Sequence, residues 1–232
     1  MLTVRKNTER GHANHGWLDT RHTFSFSSYY DPEYMGFSNL RVINDDRVIP
    51  NKGFPTHGHK DMEIISYVLD GKMEHKDSMG NGSVIHAGEV QVMSAGTGVT
   101  HSEFNPSKDQ ALRFLQIWIV PDENDLEPSY QQTEIKTESI KGNFYQVASN
   151  NPVNGAAKIH QNADLYICKL DKSDRVSYRF KPDRKGWLQI ATGTLTINGL
   201  ELTEGDGVAI TDEQEISLET DDNAHVLLFD LA

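Results

Sequence analysis

Apolar residues in this chain come in short runs broken by glycine, proline and Asn/Asp-rich clusters, and the 3.6-residue recurrence of an amphipathic helix is scarce. Met62 to Leu69, Met73 to Ser78, Ser83 to Ala87, Glu89 to Met93 and Leu112 to Val120 read as strands. Gly80-Asn81-Gly82 between two of them is a hairpin signal. Upstream, Thr23 to Ser27 and Leu40 to Ile43 are shorter strand candidates, with turns expected at Asp31-Pro32 and Asn44-Asp45-Asp46. Strands in such quick succession imply an antiparallel barrel or sandwich.

The polar, acidic stretch from Pro121 to Gly142 interrupts this grammar and places a domain boundary near residue 132, giving units 1–132 and 133–232. Beyond it Phe144–Ala148, Leu165–Leu170, Val176–Phe180, Trp187–Ala191, Thr194–Ile197, Val208–Thr211, Glu215–Leu218 and His225–Leu231 read as strands. Turns are expected at Gly193, Asn198-Gly199 and Gly205-Asp206-Gly207.

Composition narrows the function. The formal charge is −12, from 34 acidic and 22 basic residues without a basic cluster, which argues against direct nucleic-acid binding. The single cysteine, Cys168, excludes an intrachain disulfide and sits in an apolar run, as a buried thiol does. The start of the chain lacks an apolar leader segment, and no apolar run reaches the ~18 residues of a membrane span. The cytoplasm is therefore the expected location, without membrane association.

The chemistry concentrates in His57-Gly58-His59 and His101-Ser102-Glu103. Residues i and i+2 of a strand share a face, so two strands would bring four donors together. Three imidazoles and one carboxylate suit Fe(II), Mn, Co, Ni, Cu or Zn and leave positions open on an octahedral ion. The Gly-rich bend Ser94 to Gly98 before the second pair allows close backbone passage. His12, His15 and His22 share no strand face and accompany no carboxylate pair, so no second metal site is read there. His75 and His86 lie on strand candidates and are expected to be packed or exposed.

These motifs carry a resemblance. Gly53-Phe54-Pro55-Thr56-His57-Gly58-His59-Lys60-Asp61-Met62-Glu63 resembles the first cupin motif, and Gly88 through His101-Ser102-Glu103-Phe104-Asn105 resembles the second. Two departures, three residues between Gly53 and His57 and Ser94 in place of a proline, are those of pirins. Gly16-Trp17-Leu18, His22-Thr23-Phe24-Ser25-Phe26, Tyr29-Tyr30-Asp31-Pro32 and Met35-Gly36-Phe37 add to the likeness, which is dense from residue 5 to about 120 and continuous to the end.

The resemblance implies an all-β fold of two tandem cupin (jelly-roll β-barrel) domains. The first would bind metal, and the second would be degenerate and without metal ligands. It implies His57, His59, His101 and Glu103 as ligands of one divalent transition metal ion. Fe(II) comes first, with Cu, Ni, Mn, Co or Zn as alternatives. Glu103 would also be the catalytic base, with Glu63 left to a supporting or structural role. The implied activity is that of the bacterial pirin-like proteins described as quercetin 2,3-dioxygenases: O2-dependent opening of a flavonol ring with release of CO. The alternative implied by eukaryotic pirins is a non-enzymatic, iron-dependent redox-sensing regulator that binds another protein. A cupin isomerase or lyase is a third reading. A monomer is expected, since two fused cupins can cover each other's sheets.

Overall fold

The computed structural model describes all residues, Met1–Ala232. It is built almost wholly of strands, as the short apolar runs predict. In chain order they are β1 (Leu2–Arg5), β2 (Gly11–Asn14), β3 (Leu18–His22), β4 (Leu40–Val48), β5 (Gly53–His59), β6 (Glu63–Asp70) and β7 (Lys72–Asp77). Next come β8 (Gly82–His86), β9 (Glu89–Ser94), β10 (Val99–Phe104), β11 (Leu112–Ile119), β12 (Ser129–Glu134), β13 (Tyr145–Ser149) and β14 (Ala157–Lys158). The last are β15 (Ala163–Leu170), β16 (Arg175–Arg179), β17 (Lys185–Ile197), β18 (Leu200–Thr203), β19 (Gly207–Ile210), β20 (Glu215–Glu219) and β21 (Ala224–Leu231). One short helix, α1 (Thr137–Ile140), follows β12.

The chain divides into two compact units. One comprises Gly11–Glu134 with Ala157–Gln161, and the other Met1–Arg10, Ile135–Ala156 and Asn162–Ala232. The first has a seven-stranded antiparallel sheet in the order β12-β9-β6-β11-β4-β3-β2 and a four-stranded sheet in the order β5-β10-β7-β8. Its core gathers Val48, Val68, Met73, Ile85, Leu112 and Phe114, with Ile64, Met93 and Val99 in a second cluster. Each such fully buried side chain is worth about 1.5–3 kcal/mol.

In the second unit the main sheet runs β1-β19-β17-β21-β15-β13. The chain's first residues belong here because β1 pairs with β19, Leu2 opposite Ile210, and Asp206 receives both the Asn7 amide (2.8 Å) and Lys6 Nζ (3.0 Å).

Four local expectations are revised. Asn44-Asp45-Asp46 is no turn but the middle of β4. Its polar side chains are accommodated because Asp45 takes a bidentate pair from Arg113 (3.0 and 2.7 Å), while Asn44 and Asp46 line a cavity rather than the packed core. Gly193 is not a turn either: β17 runs through it, with positive φ (81°) just after a register shift between Ile190 and Thr192. Thr23–Ser27 makes bends, and the strand lies just before it as β3. Finally, the polar stretch after Pro121 contains β12, whose residues pair with β9.

Cys168 is fully buried on β15, and burial pushes its thiol up to about 12. The raised value means thiol is favoured in the fold at any pH below that, so this contribution to stability fades only as alkaline pH rises past the ordinary 9.0 towards 12. Native protein at pH 8 is expected to leave a disulfide reagent uncoloured for hours, and denatured protein to release one equivalent per chain. Rapid reaction of the native protein would contradict the buried placement.

Candidate metal centre

Strands β5 and β10 lie side by side and antiparallel, with His57 directly opposite His101. Alternation then puts His59 on the same side as His57, and a register shift between His101 and Glu103 adjusts the second strand. The three imidazoles converge, with ring centroids 4.5 Å apart for His57 and His101, 4.8 Å for His57 and His59, and 4.9 Å for His59 and His101. One donor atom from each falls within 4.8 Å of the others.

Their electronic state suits a metal. His57 Nδ1 donates to the Pro55 carbonyl at 2.8 Å, which leaves Nε2 with a lone pair. His59 Nε2 and His101 Nε2 face each other at 3.0 Å. Two imidazoles bound at ~2.1 Å in adjacent octahedral positions would stand about 3 Å apart, so the spacing fits. Burial, then repulsion from His101 and His57, pulls His59 down to about 4. Burial, then His57 and His75, pulls His101 down to about 3. Both rings are thus neutral at pH 7, the form that ligates.

Glu103 is buried on β10 and pairs with neither Lys nor Arg. Its carboxylate takes Gln116 Nε2 on both oxygens (3.1 and 2.9 Å), and the Ser66 hydroxyl lies 3.1 Å away, also within reach of Gln116 Oε1. A buried carboxylate held by neutral donors, near the neutral imidazoles of His59 and His101, is a donor set short of positive charge, and a divalent cation would provide it.

The groups open onto a cavity of about 340 Å³. Its apolar walls include Leu18, Phe26, Phe54 and Trp118, and the Trp118 ring meets His59 edge-on at 5.1 Å. Directly opposed residues share a face, and the register aligns His22 on β3, Asn44 on β4, Gln116 on β11 and Ser66 on β6 in one polar row that ends at Glu103. Thr20 and Asp46 form the next row.

His57, His59 and His101 are therefore brought together, whereas Glu103 lines the same cavity without its carboxylate joining their cluster of donor atoms. Glu63 does not line this cavity: buried at the start of β6, it accepts from Ser94 and stands 3.4 Å from His160 Nδ1. His86 is exposed, and His12 and His15 lie at the surface, His12 against Asp19. Asn105 ties down the chain after β10 by donating to the Val48 and Gln110 carbonyls. Gln116, Ser66 and Trp118 escaped the sequence reading, which weighed His22 only for a second metal site and placed Asn44 in a turn. The available signal was a polar residue interrupting an apolar strand, as Ser66 interrupts β6 and Gln116 interrupts β11.

Comparison with known proteins agrees with this architecture. The pirin family model matches residues 3–119, and the model described as the quercetinase C-terminal cupin domain matches residues 146–231. The quercetin 2,3-dioxygenase of Escherichia coli K12 is 51% identical over 231 residues, spanning 100% of this chain and 99% of that protein. The crystal structure of the bacterial pirin YhhW from Escherichia coli in complex with nickel(II) superposes with a TM-score of 0.95 at 50% identity, covering 100% of this chain and 99% of that one. A quercetin 2,3-dioxygenase structure from Acinetobacter baumannii shares the fold, with a TM-score of 0.80 at 20% identity over 98% of this chain and 85% of that one.

Proposed function

This chain belongs to the pirin family, and from that premise we propose that it is a metal-dependent quercetin 2,3-dioxygenase. It opens the central ring of a flavonol with O2: both oxygen atoms enter the product and carbon 3 leaves as CO. The observation that carries this reading is the cavity of about 340 Å³, bounded by His57, His59 and Glu103 and walled by aromatic rings. A site that only sensed redox state would need a solvent path, whereas a flat polyphenol needs a concave, mostly apolar space such as this one.

In this proposal His57, His59, His101 and Glu103 hold one divalent metal ion, and the domain that carries them is the N-terminal cupin. Fe(II) is the preferred ion, and the protein works as a cytoplasmic monomer. When bound, the metal supplies a Lewis acid that favours the ionised 3-hydroxyl and makes the ring electron-rich enough to react with O2. Glu103 accepts the 3-hydroxyl proton, and Gln116 and Ser66 fix its carboxylate in place. Phe26, Phe54 and Trp118 hold the flat rings. The polar pair of rows, Thr20 with Asp46 and His22 with Asn44, faces the substrate hydroxyls.

Protein stripped with a chelator and reloaded with Fe(II), Ni(II), Cu(II), Mn(II) or Co(II) in turn is expected to consume one O2 and release one CO per quercetin with at least one ion. Stoichiometric binding of every ion without turnover would overturn the proposal in favour of a non-enzymatic regulator.

A further inference from the structure

Behind His101 lies a buried pair that the proposed chemistry leaves unused. His75 and Asp77, on β7, are both fully buried at their side chains. The β7–β10 register sets Asp77 opposite His101 and His75 opposite Glu103. His75 Nε2 stands 3.1 Å from Asp77 Oδ2, and His75 Nδ1 stands 3.5 Å from His101 Nδ1, at the outer limit of a hydrogen bond. Tyr130 packs against His75 at a tilt, with centroids 4.8 Å apart, and is itself fixed by Ser83 (2.5 Å) and Gln132 (3.0 Å).

We propose that Asp77 and His75 form a one-way hydrogen-bond relay that fixes the proton of His101 on Nδ1 and so presents its Nε2 lone pair to the metal. This inference rests on the reading of His101 as a ligand. Its directionality follows from donor and acceptor counts. Asp77 is held as an acceptor by three donors, since Oδ1 accepts the Met79 and Asn81 amides (2.9 and 3.0 Å) and Oδ2 accepts Asn81 Nδ2 (2.9 Å), which leaves one acceptor site on Oδ2 for His75. An ionised carboxylate has only acceptors to offer, so His75 must carry its proton on Nε2. With its single proton on Nε2, the His75 ring has only a lone pair at Nδ1. The sole partner that can complete that contact is a proton on His101 Nδ1, which empties His101 Nε2, the nitrogen that faces His59. The hairpin joining β7 and β8 thereby sets the tautomer of a ligand on β10. His75 and Asp77 are positioning residues: neither lines the substrate cavity.

The test is Asp77→Asn. The two backbone amides hold the remaining carbonyl oxygen at the Oδ1 position, so the new amide nitrogen points a donor at His75 Nε2 and reverses the relay. In the full chain, freed of metal and 15N-labelled at histidine, wild type is expected to show His101 with an unprotonated Nε2 and a protonated Nδ1. Asp77→Asn should move the proton to Nε2. On reloading with Ni(II), competition against a chromophoric chelator should show affinity for the variant weakened about 10–100-fold. Asn81→Ala, which removes one bond to Asp77 and leaves the relay intact, should keep both the wild-type tautomer and affinity within a few fold. A wild-type spectrum with His101 protonated at Nε2, or with His75 doubly protonated, would overturn the relay, and needs no variant to fold. So would an unchanged tautomer and affinity in folded Asp77→Asn. Failure of wild type itself to bind Ni(II) would instead strike the metal reading, and leaves the tautomer result to judge the relay alone.

Discussion

Substitution of His101 by alanine is expected to abolish stoichiometric metal binding at micromolar ion and to lower quercetin turnover by at least about a thousandfold, roughly 4 kcal/mol of transition-state stabilisation. His101 sits centrally: its ring lies 4.5 Å from His57, 4.9 Å from His59 and 5.3 Å from His75. The alanine variant keeps His57 and His59 on β5 but loses the only imidazole contributed by β10, so that strand is left with the Glu103 carboxylate alone to meet the ion. Folding should survive, because in the metal-free protein His59 and His101 disfavour one another's protonation and the cluster contributes little attraction. Near-UV circular dichroism should therefore match wild type while metal content falls to background. His86→Ala, an exposed histidine on β8, should change neither quantity. Retention of wild-type turnover by His101→Ala would remove the basis for the metal assignment.

Gly96→Ala should be strongly destabilising for a single added methyl, costing about 2–4 kcal/mol and lowering the melting temperature by roughly 5–15 °C. Gly96 has positive φ (45°), and a Cβ there would overlap the Leu126 carbonyl, with the carbonyl carbon 2.7 Å away. That carbonyl is not free to retreat, since it accepts the Thr97 amide at 2.9 Å, and the Gly96 carbonyl in turn accepts the Asp61 amide at 2.9 Å. The bend thus clamps the chain leaving β5 to the chain entering β10, the two strands that carry the histidines. Gly58, between His57 and His59, is the contrasting case: a Cβ there meets only Thr100 Cγ2 and the Val99 carbonyl at 3.8 Å, so Gly58→Ala should melt within about 2 °C of wild type. Thermal unfolding of the two metal-free variants side by side checks the pair. Equal stability would mean that the Gly96 bend is looser than its geometry indicates.

Much of this was legible in the chain itself. Short apolar runs with turn punctuation suffice to indicate strands, because period-2 patterning and turn chemistry are local properties. The pairs His57/His59 and His101/Glu103 could be read as donors on common faces for the same reason: alternation along a strand needs no knowledge of its neighbours. The glycine bend before His101 announced a close backbone approach, and Gly96 meets the Leu126 carbonyl.

What tertiary structure decided is everything that depends on register between distant segments. Asn44-Asp45-Asp46 has the composition of a turn, yet β4 runs through it because β3 and β11 flank it and Arg113 arrives to pair Asp45. Gly193 has the look of a loop residue but marks an irregularity inside β17, a distinction that only the pairing with β21 makes. The cavity is assembled from residues on β3, β4, β5, β10 and β11, and no local pattern says that His22, Asn44 and Gln116 fall into one row. His75 was indistinguishable from an ordinary packed histidine until the β7–β10 pairing set it between Asp77 and His101. Donor identity is written in single strands, whereas their convergence, the counter-charge they lack and the direction of their hydrogen bonds arise only when strands far apart in sequence are laid edge to edge.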